Sequence, residues 1–197
     1  MKASKKIKPR LLIDVDGVLR DFIGGLASIY QREYPDHKIK PVVSRDLHDN
    51  FPIGQEIYRF MDETFADEIL LEAPLIGDPV PALQAYESRY NLVIVTAQPP
   101  QGRYPTLQWL GKYRIPTDEV RITDQKDEVY GAILLDDFVH NLEAFEKTGR
   151  PAVCFDQPWN QSWKGPRVSS VAEFLQFADY LLRRDEEDII SPDTYLA

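Results

Sequence analysis

From residue 92 onward, short apolar runs alternate with stretches of helical periodicity, and few folds accommodate that rhythm. Leu92 to Val95, Val120 to Ile122, Ala132 to Leu135 and Ala152 to Phe155 are too short for buried helices and read as strands. Helices are predicted over Pro105 to Tyr113 and over Phe138 to Phe145, with Gly149 placed to stop the second. Val171, Phe174, Leu175, Ala178, Leu181 and Leu182 mark a final amphipathic helix. Upstream, Leu11 to Val15 forms another buried strand after a proline. A helix carrying Phe22, Leu26, Ile29 and Tyr30 follows it and ends at Pro35. Strands alternating with helices imply an α/β fold: a Rossmann-like, mainly parallel sheet with helices on both faces.

One stretch breaks the rhythm. Residues from about 36 to 73 hold no convincing buried strand, and Ile57, Phe60, Met61, Thr64 and Phe65 give a helical stripe. A helical insertion over 21–74 is therefore expected, set into a core formed by 1–20 and 75–185. The acidic run Asp185 to Asp188 and the residues beyond it read as a solvated tail, assigned to 186–197. A chain of 197 residues suffices for a core domain with a smaller insert.

In open α/β sheets ligands bind beyond the carboxyl ends of the strands. The first strand ends in Asp14-Val15-Asp16-Gly17 and the second in Thr96; Lys126 follows the third, and Asp136-Asp137 ends the fourth. Singly, each has a bland reading: an aspartate or threonine as a cap, a lysine in a polar stretch as a solvated charge. Asp136-Asp137 is harder to dismiss, because two carboxylates directly after Ile133-Leu134-Leu135 repel each other at the edge of a dry core unless a cation is near. The set, in this order, points to phosphoryl chemistry.

Asp14-Val15-Asp16-Gly17-Val18-Leu19 resembles the first motif of the haloacid dehalogenase-like phosphatases. Thr96 is similar to their second motif, Lys126 to their third and Asp136-Asp137 to their acidic fourth. Asp14 to Phe22, reading DVDGVLRDF, further resembles the opening of the 5'(3')-deoxyribonucleotidases. The close spacing of Lys126 and Asp136 and the segment Phe155-Asp156-Gln157-Pro158-Trp159-Asn160 are similar to that branch as well. The resemblance covers roughly residues 10 to 175. It implies a helical cap in the insertion, and a nucleotide base lying against aromatic side chains on the cap side, at Phe22 and Phe51. The chain departs from the branch after Thr96: Ala97-Gln98-Pro99-Pro100 stands where relatives offer a second hydroxyl and then a lysine. Arg103 is the candidate replacement for that lysine.

The chemistry also follows from the residues. A carboxylate can attack phosphorus and split one hard step into two through an acyl phosphate, which is the role open to Asp14. Asp16 can protonate the leaving alcohol and then accept a proton from water. Thr96 and the neighbouring Ala97 can hold phosphoryl oxygens, and Lys126 can neutralise their charge. Four carboxylates facing a phosphate dianion require a cation. Mg2+ suits oxygen ligands from Asp14 and Asp136, with the backbone carbonyl of Asp16. Asp137 then completes the shell through water or orients Lys126.

The expected function is a magnesium-dependent phosphomonoesterase, foremost a nucleotidase acting on (deoxy)nucleoside monophosphates. Phosphatases of a sugar phosphate or of a nucleic-acid 3'-phosphate end share the same residues. A silent binding module is disfavoured because no catalytic position is lost. A formal charge of −9 argues against binding a nucleic-acid polymer or an anionic membrane. No apolar run approaches the roughly 20 residues of a spanning helix. The basic N-terminus lacks the apolar stretch of a secretory signal, and the lone Cys154 precludes an internal disulfide, so a cytoplasmic setting is expected. A homodimer is left open. Cys154 is expected in the core. His37, His48 and His140 follow no zinc spacing and read as surface or helix residues. Trp109, Trp159 and Trp163 read as packing.

Overall fold

A computed structural model describes residues 7–189. Its centre is a six-stranded sheet in the order β3-β2-β1-β4-β5-β6, parallel throughout. The strands are β1 (Arg10–Ile13), β2 (Asn91–Thr96), β3 (Glu119–Ile122), β4 (Ile133–Asp136), β5 (Ala152–Phe155) and β6 (Arg167–Val168). Five lie where the apolar runs place them. The two-residue β6, held by Cys154 opposite Arg167 and Phe155 opposite Val168, is too short to leave a sequence pattern.

Alternation along each strand sends successive side chains to opposite faces. Leu11, Ile13, Leu92, Ile94, Ile133 and Leu135 fill one cluster, completed by Trp109, Phe174, Leu175 and Ala178. Leu12, Val93, Val95, Leu134 and Cys154 fill the other, completed by Leu142, Phe145 and Trp163. Both faces of the central strands are dry, as a parallel sheet requires. Cys154 is fully buried, which pushes its thiol up to about 11, so it packs as expected.

Among the described residues seven α-helices flank the sheet or belong to the insertion: α1 (Phe22–Glu33), α2 (Glu56–Arg59), α3 (Ala66–Glu72), α4 (Pro79–Tyr86), α5 (Pro100–Lys112), α6 (Val139–Glu146) and α7 (Val171–Ile189). The sequence stripe missed α4 and started α5 at Pro105, whereas the helix begins at Pro100. Both prolines suit a first turn, and only the earlier one follows an extended residue, Pro99. Helix α7 runs on through Asp185–Asp188, where a solvated tail was expected; residues 190–197 of that expected tail lie outside the described residues.

Helices α1 to α3, a wide π-type turn over Phe60–Thr64 and a short turn at Leu47–Asp49 make up the insertion between β1 and β2. It has an apolar cluster of its own, built on Leu26, Tyr30, Leu47, Phe51, Ile57, Phe60 and Ile69. Its two ends meet. Arg20 bridges Leu75, the Asp21 N–H donates to the Pro74 carbonyl at 2.9 Å, and the Ile76 N–H donates to the Leu19 carbonyl at 2.8 Å. No helix among the described residues is long and apolar enough to cross a membrane.

Candidate active site

The carboxyl ends of β1, β2 and β4 open, with the turn after β3, into a cavity of about 770 Å³. The core side presents Asp14, Asp16, Thr96, Ala97, Lys126 and Asp137; the insertion presents Phe22, Arg45 and Tyr58. Asp136 lies directly behind, fully buried.

Asp14 is held first by the neighbouring strand β4 and by its own turn. Its N–H donates to the Leu135 carbonyl at 3.0 Å, and its Oδ1 accepts from the Val15 N–H at 2.7 Å. Lys126 begins a short helical turn and is buried, with Nζ 2.8 Å from Asp14 Oδ1 and 2.7 Å from Asp136 Oδ2. A buried ammonium flanked by two carboxylates stays charged: burial alone would lower its pKa, but the pair raises it. Asp136 also accepts from the Phe138 N–H at 2.8 Å and from Asn141 Nδ2 at 3.1 Å. Asp136 therefore orients Lys126, a task the sequence reading had left open to Asp137. The last residue of β4 keeps its side chain at the sheet end beside Lys126, while the next residue turns into the cavity. Asp137 is fixed there by Trp159, whose Nε1 donates to Oδ2 at 2.8 Å, and by Asn160, whose Nδ2 donates to the Asp137 carbonyl at 2.8 Å.

Gly17 makes the close approach possible. Its φ is +75°, in the region that favours glycine, and a Cβ there would run into the Asp137 carboxylate. Gln157 Nε2 donates to the Gly17 carbonyl at 2.8 Å. The segment after β5 thus braces the turns at Gly17 and Asp137 through Gln157, Trp159 and Asn160.

Asp16 points to the cavity rim. Arg20 grips it with a two-pronged fork, Nε to Oδ1 at 2.7 Å and Nη2 to Oδ2 at 3.0 Å, and Gln98 Nε2 donates to Oδ2 at 2.6 Å. Arg20 itself is fully buried, donates to the Leu70 carbonyl and Thr106 Oγ1, and lies 5.2 Å from the Trp109 ring centroid.

Two residues singled out from the sequence lie away from the cavity. Phe51 is 2% exposed and packs edge-on against Tyr30, because the small insertion needs its aromatics to fill its own cluster. Arg103 is exposed: α5 begins at Pro100, so Gly102 faces the cavity and the next residue turns about 100° away to solvent. Sequence reasoning passed over Arg45 and Asn141, quoted Arg20, Gln98, Gln157 and Asn160 only within segments without giving them a role, and assigned Trp159 to packing. The spacing of Asp16 and Arg20, four residues apart, was a readable signal for that pair. Trp109 and Trp163 are buried in the core as expected, and no histidine joins the acidic group among the described residues.

Asp14, Asp136 and Asp137 each offer an oxygen within 4.8 Å of the others. Burial, with the neighbouring aspartates against Lys126, holds the Asp14 carboxyl well above the usual range. Burial and the Asp136 charge push Asp137 up to about 7. One lysine leaves this buried set short of positive charge, and an all-oxygen donor set fits a hard divalent cation.

A pH dependence follows for the metal-free protein. A carboxyl whose pKa rises on folding binds its proton more tightly when folded. Its stabilising contribution is full below the unfolded value of 3.8 and is lost as pH rises through about 7. The melting temperature without metal is expected to fall between about pH 5 and about pH 8. Magnesium should raise it more at the higher pH. Calorimetry at both values checks this; an equal magnesium effect at both would show that the buried carboxylates do not hold the ion.

The parallel sheet with an aspartate-rich cavity at its strand ends defines a haloacid dehalogenase-like protein. Solved structures of that class share the fold. A haloacid dehalogenase-like hydrolase from Streptococcus pneumoniae has a TM-score of 0.61 at 14% identity, covering 87% of this chain and 98% of that one. A HAD-hydrolase from Bacillus subtilis bound to magnesium has a TM-score of 0.58 at 14% identity, covering 88% and 100%. Residues 8–183 match the family described as 5' nucleotidase, deoxy (pyrimidine), cytosolic type C protein, and the chain belongs to that family. The 5'(3')-deoxyribonucleotidase of Bacillus subtilis (strain 168) is 26% identical over 161 residues, 79% of this chain and 90% of that protein. The cytosolic-type 5'(3')-deoxyribonucleotidase of Homo sapiens is 29% identical over 144 residues, 65% and 70% respectively.

Proposed function

We propose that the protein is a magnesium-dependent phosphomonoesterase that works through an aspartyl-phosphate on Asp14 and takes (deoxy)nucleoside monophosphates. The observation that carries this reading is the buried Asp14–Lys126–Asp136 chain opening on a cavity rimmed by Asp16 and Thr96. The Asp14 carboxylate attacks phosphorus, the phosphorus–oxygen bond to the alcohol breaks, and Asp16 gives that oxygen a proton. Asp16 then takes a proton from water as the water attacks the acyl phosphate, which releases phosphate and restores Asp14. Lys126 and Thr96 hold the phosphoryl oxygens, and Arg20 with Gln98 fixes where Asp16 stands. Asp14, Asp136 and Asp137, with the Asp16 carbonyl, would hold magnesium, which supplies charge neutralisation at the phosphate. The helical insertion serves as the cap, limiting water over the site.

The nucleotide assignment is supported by family membership, by the names of the curated relatives and by the cavity walls. Phe22, Tyr58, Phe138 and Trp159 line it opposite or beside the carboxylates, and its volume suits a ligand of this size. Phe22 is half-buried at the start of α1, between the cavity and the insertion's apolar cluster. Phosphate release from a panel of phosphomonoesters with magnesium tests the reading. A deoxynucleoside monophosphate should be hydrolysed better than a sugar phosphate, and excess chelator should stop turnover. Phe22→Ala should cut activity on nucleotides roughly 5- to 150-fold beyond its effect on p-nitrophenyl phosphate, in line with stacking worth about 1–3 kcal/mol. Equal loss on both substrates would make Phe22 a packing residue and remove that support.

A further inference from the structure

We infer that Arg45, carried on the insertion, is the second phosphate-binding cation of this site; the inference rests on the phosphomonoesterase reading above. Seven aspartates line the cavity, and among the described residues the only lysine or arginine side chains lining it are Lys126 and Arg45. Lys126 is already committed to Asp14 and Asp136. The nearby Arg20 is buried and spends its donors on Asp16, Leu70 and Thr106. The position that follows Thr96 carries Ala97 and Gln98, neither of them cationic, and Arg103 turns to solvent.

Arg45 differs from all of these. Its guanidinium carbon stands 3.7 Å from the centroid of the Phe138 ring, on the residue that follows Asp137. A guanidinium stacked on a ring keeps its plane fixed and its N–H edge outward, the form that grips a phosphate with two parallel bonds. No carboxylate pairs with it among the described residues, although its charge reaches Asp137. The loop that carries it is built rather than loose. The Leu47 N–H donates to the Arg45 carbonyl at 3.0 Å, Asn50 Nδ2 donates to the Pro41 carbonyl at 2.6 Å, and Leu47 and Asn50 are buried. An uncommitted, pre-oriented cation over a cavity of aspartates answers the charge deficit that a phosphate dianion meets on entry. It also ties the insertion to the reacting group, so the second cation arrives from the cap in place of the core.

Isothermal titration of inorganic phosphate into the magnesium-loaded protein tests this directly. Arg45→Ala should weaken phosphate binding about 10- to 100-fold, as loss of charge-assisted bonds does. Arg45→Lys should fall between, since the charge stays and the fork goes. The KM for p-nitrophenyl phosphate and for a deoxynucleoside monophosphate should rise by the same factor in Arg45→Ala, because the phosphate is what they share. Melting curves confirm that each variant is folded, and Arg45→Gln repeats the test with a near-isosteric neutral chain. Unchanged phosphate affinity in Arg45→Ala and Arg45→Gln would overturn the assignment. So would a KM rise confined to the nucleotide, or the same loss of phosphate on Arg103→Ala with none on Arg45→Ala. If the wild-type protein releases phosphate from no phosphomonoester, the functional reading fails, and the phosphate titration still decides Arg45.

Discussion

Asp14→Asn is expected to remove turnover on every phosphomonoester, by at least on the order of 10⁴-fold, while the metal-free protein stays as stable as wild type or becomes more so. The two halves come from one cause. The Asp14 carboxyl sits in a dry site beside Asp136 and Asp137, and its raised pKa records that burying its charge is unfavourable. An amide keeps an oxygen for the Val15 N–H and for Lys126 but carries no charge and cannot form the acyl phosphate. Lys126 retains Asp136 as a partner. Single-turnover kinetics and melting curves in chelator measure the two effects. Near wild-type turnover would remove Asp14 as nucleophile; a large fall in metal-free melting temperature would mean that its pairing with Lys126 outweighs its desolvation.

Lys126→Met should strongly destabilise the protein. Its methylenes can be replaced, but its charge cannot. Without it Asp14 and Asp136 face each other in a low-dielectric corner, and breaking a buried pair in this way costs about 3–5 kcal/mol. Activity should vanish as well, since the equatorial oxygens lose their cation. Adding Asp136→Asn to Lys126→Met should recover much of the stability and none of the activity. Urea unfolding and phosphate-release assays on both variants check this. A Lys126→Met protein as stable as wild type would show that the pair is energetically neutral.

The sheet was readable because its central strands β1, β2, β4 and β5 are apolar runs bounded by polar turns, as buried parallel strands must be. Ala152 to Phe155 needed no adjustment, and Thr96 closed β2 where its strand pattern stops. Asp14, Thr96 and Asp136 were readable because each closes such a run directly, and Lys126 because it follows β3 within four residues. What escaped the sequence lies in contacts between distant segments. Trp159 looked like any aromatic until the segment after β5 was seen to lie under Asp137, 22 residues away. Arg20 stands unremarked within the stretch Asp14 to Phe22, yet it is buried against Leu70 and Thr106, 50 and 86 residues on. Phe51 and Arg103 failed for the opposite reason: residue type marked them, and local geometry turned one into the insertion's interior and the other to solvent.

The meeting of the insertion's two ends also bears on how the chain finds its fold. β1 and β2 are neighbours in the sheet, with Arg10 opposite Asn91, yet more than fifty residues of insertion separate them along the chain. Once Arg20 and Leu75 are bridged, the route from one strand to the other is about threefold shorter. That reduces the entropy lost on closing the first parallel pair by about 1 kcal/mol, or roughly fivefold in rate. The insertion's own apolar cluster gives it a reason to close early. Loosening that cluster, for instance with Tyr30→Ala, should therefore slow the formation of a sheet that Tyr30 never touches, and stopped-flow refolding monitored on the core would read the delay.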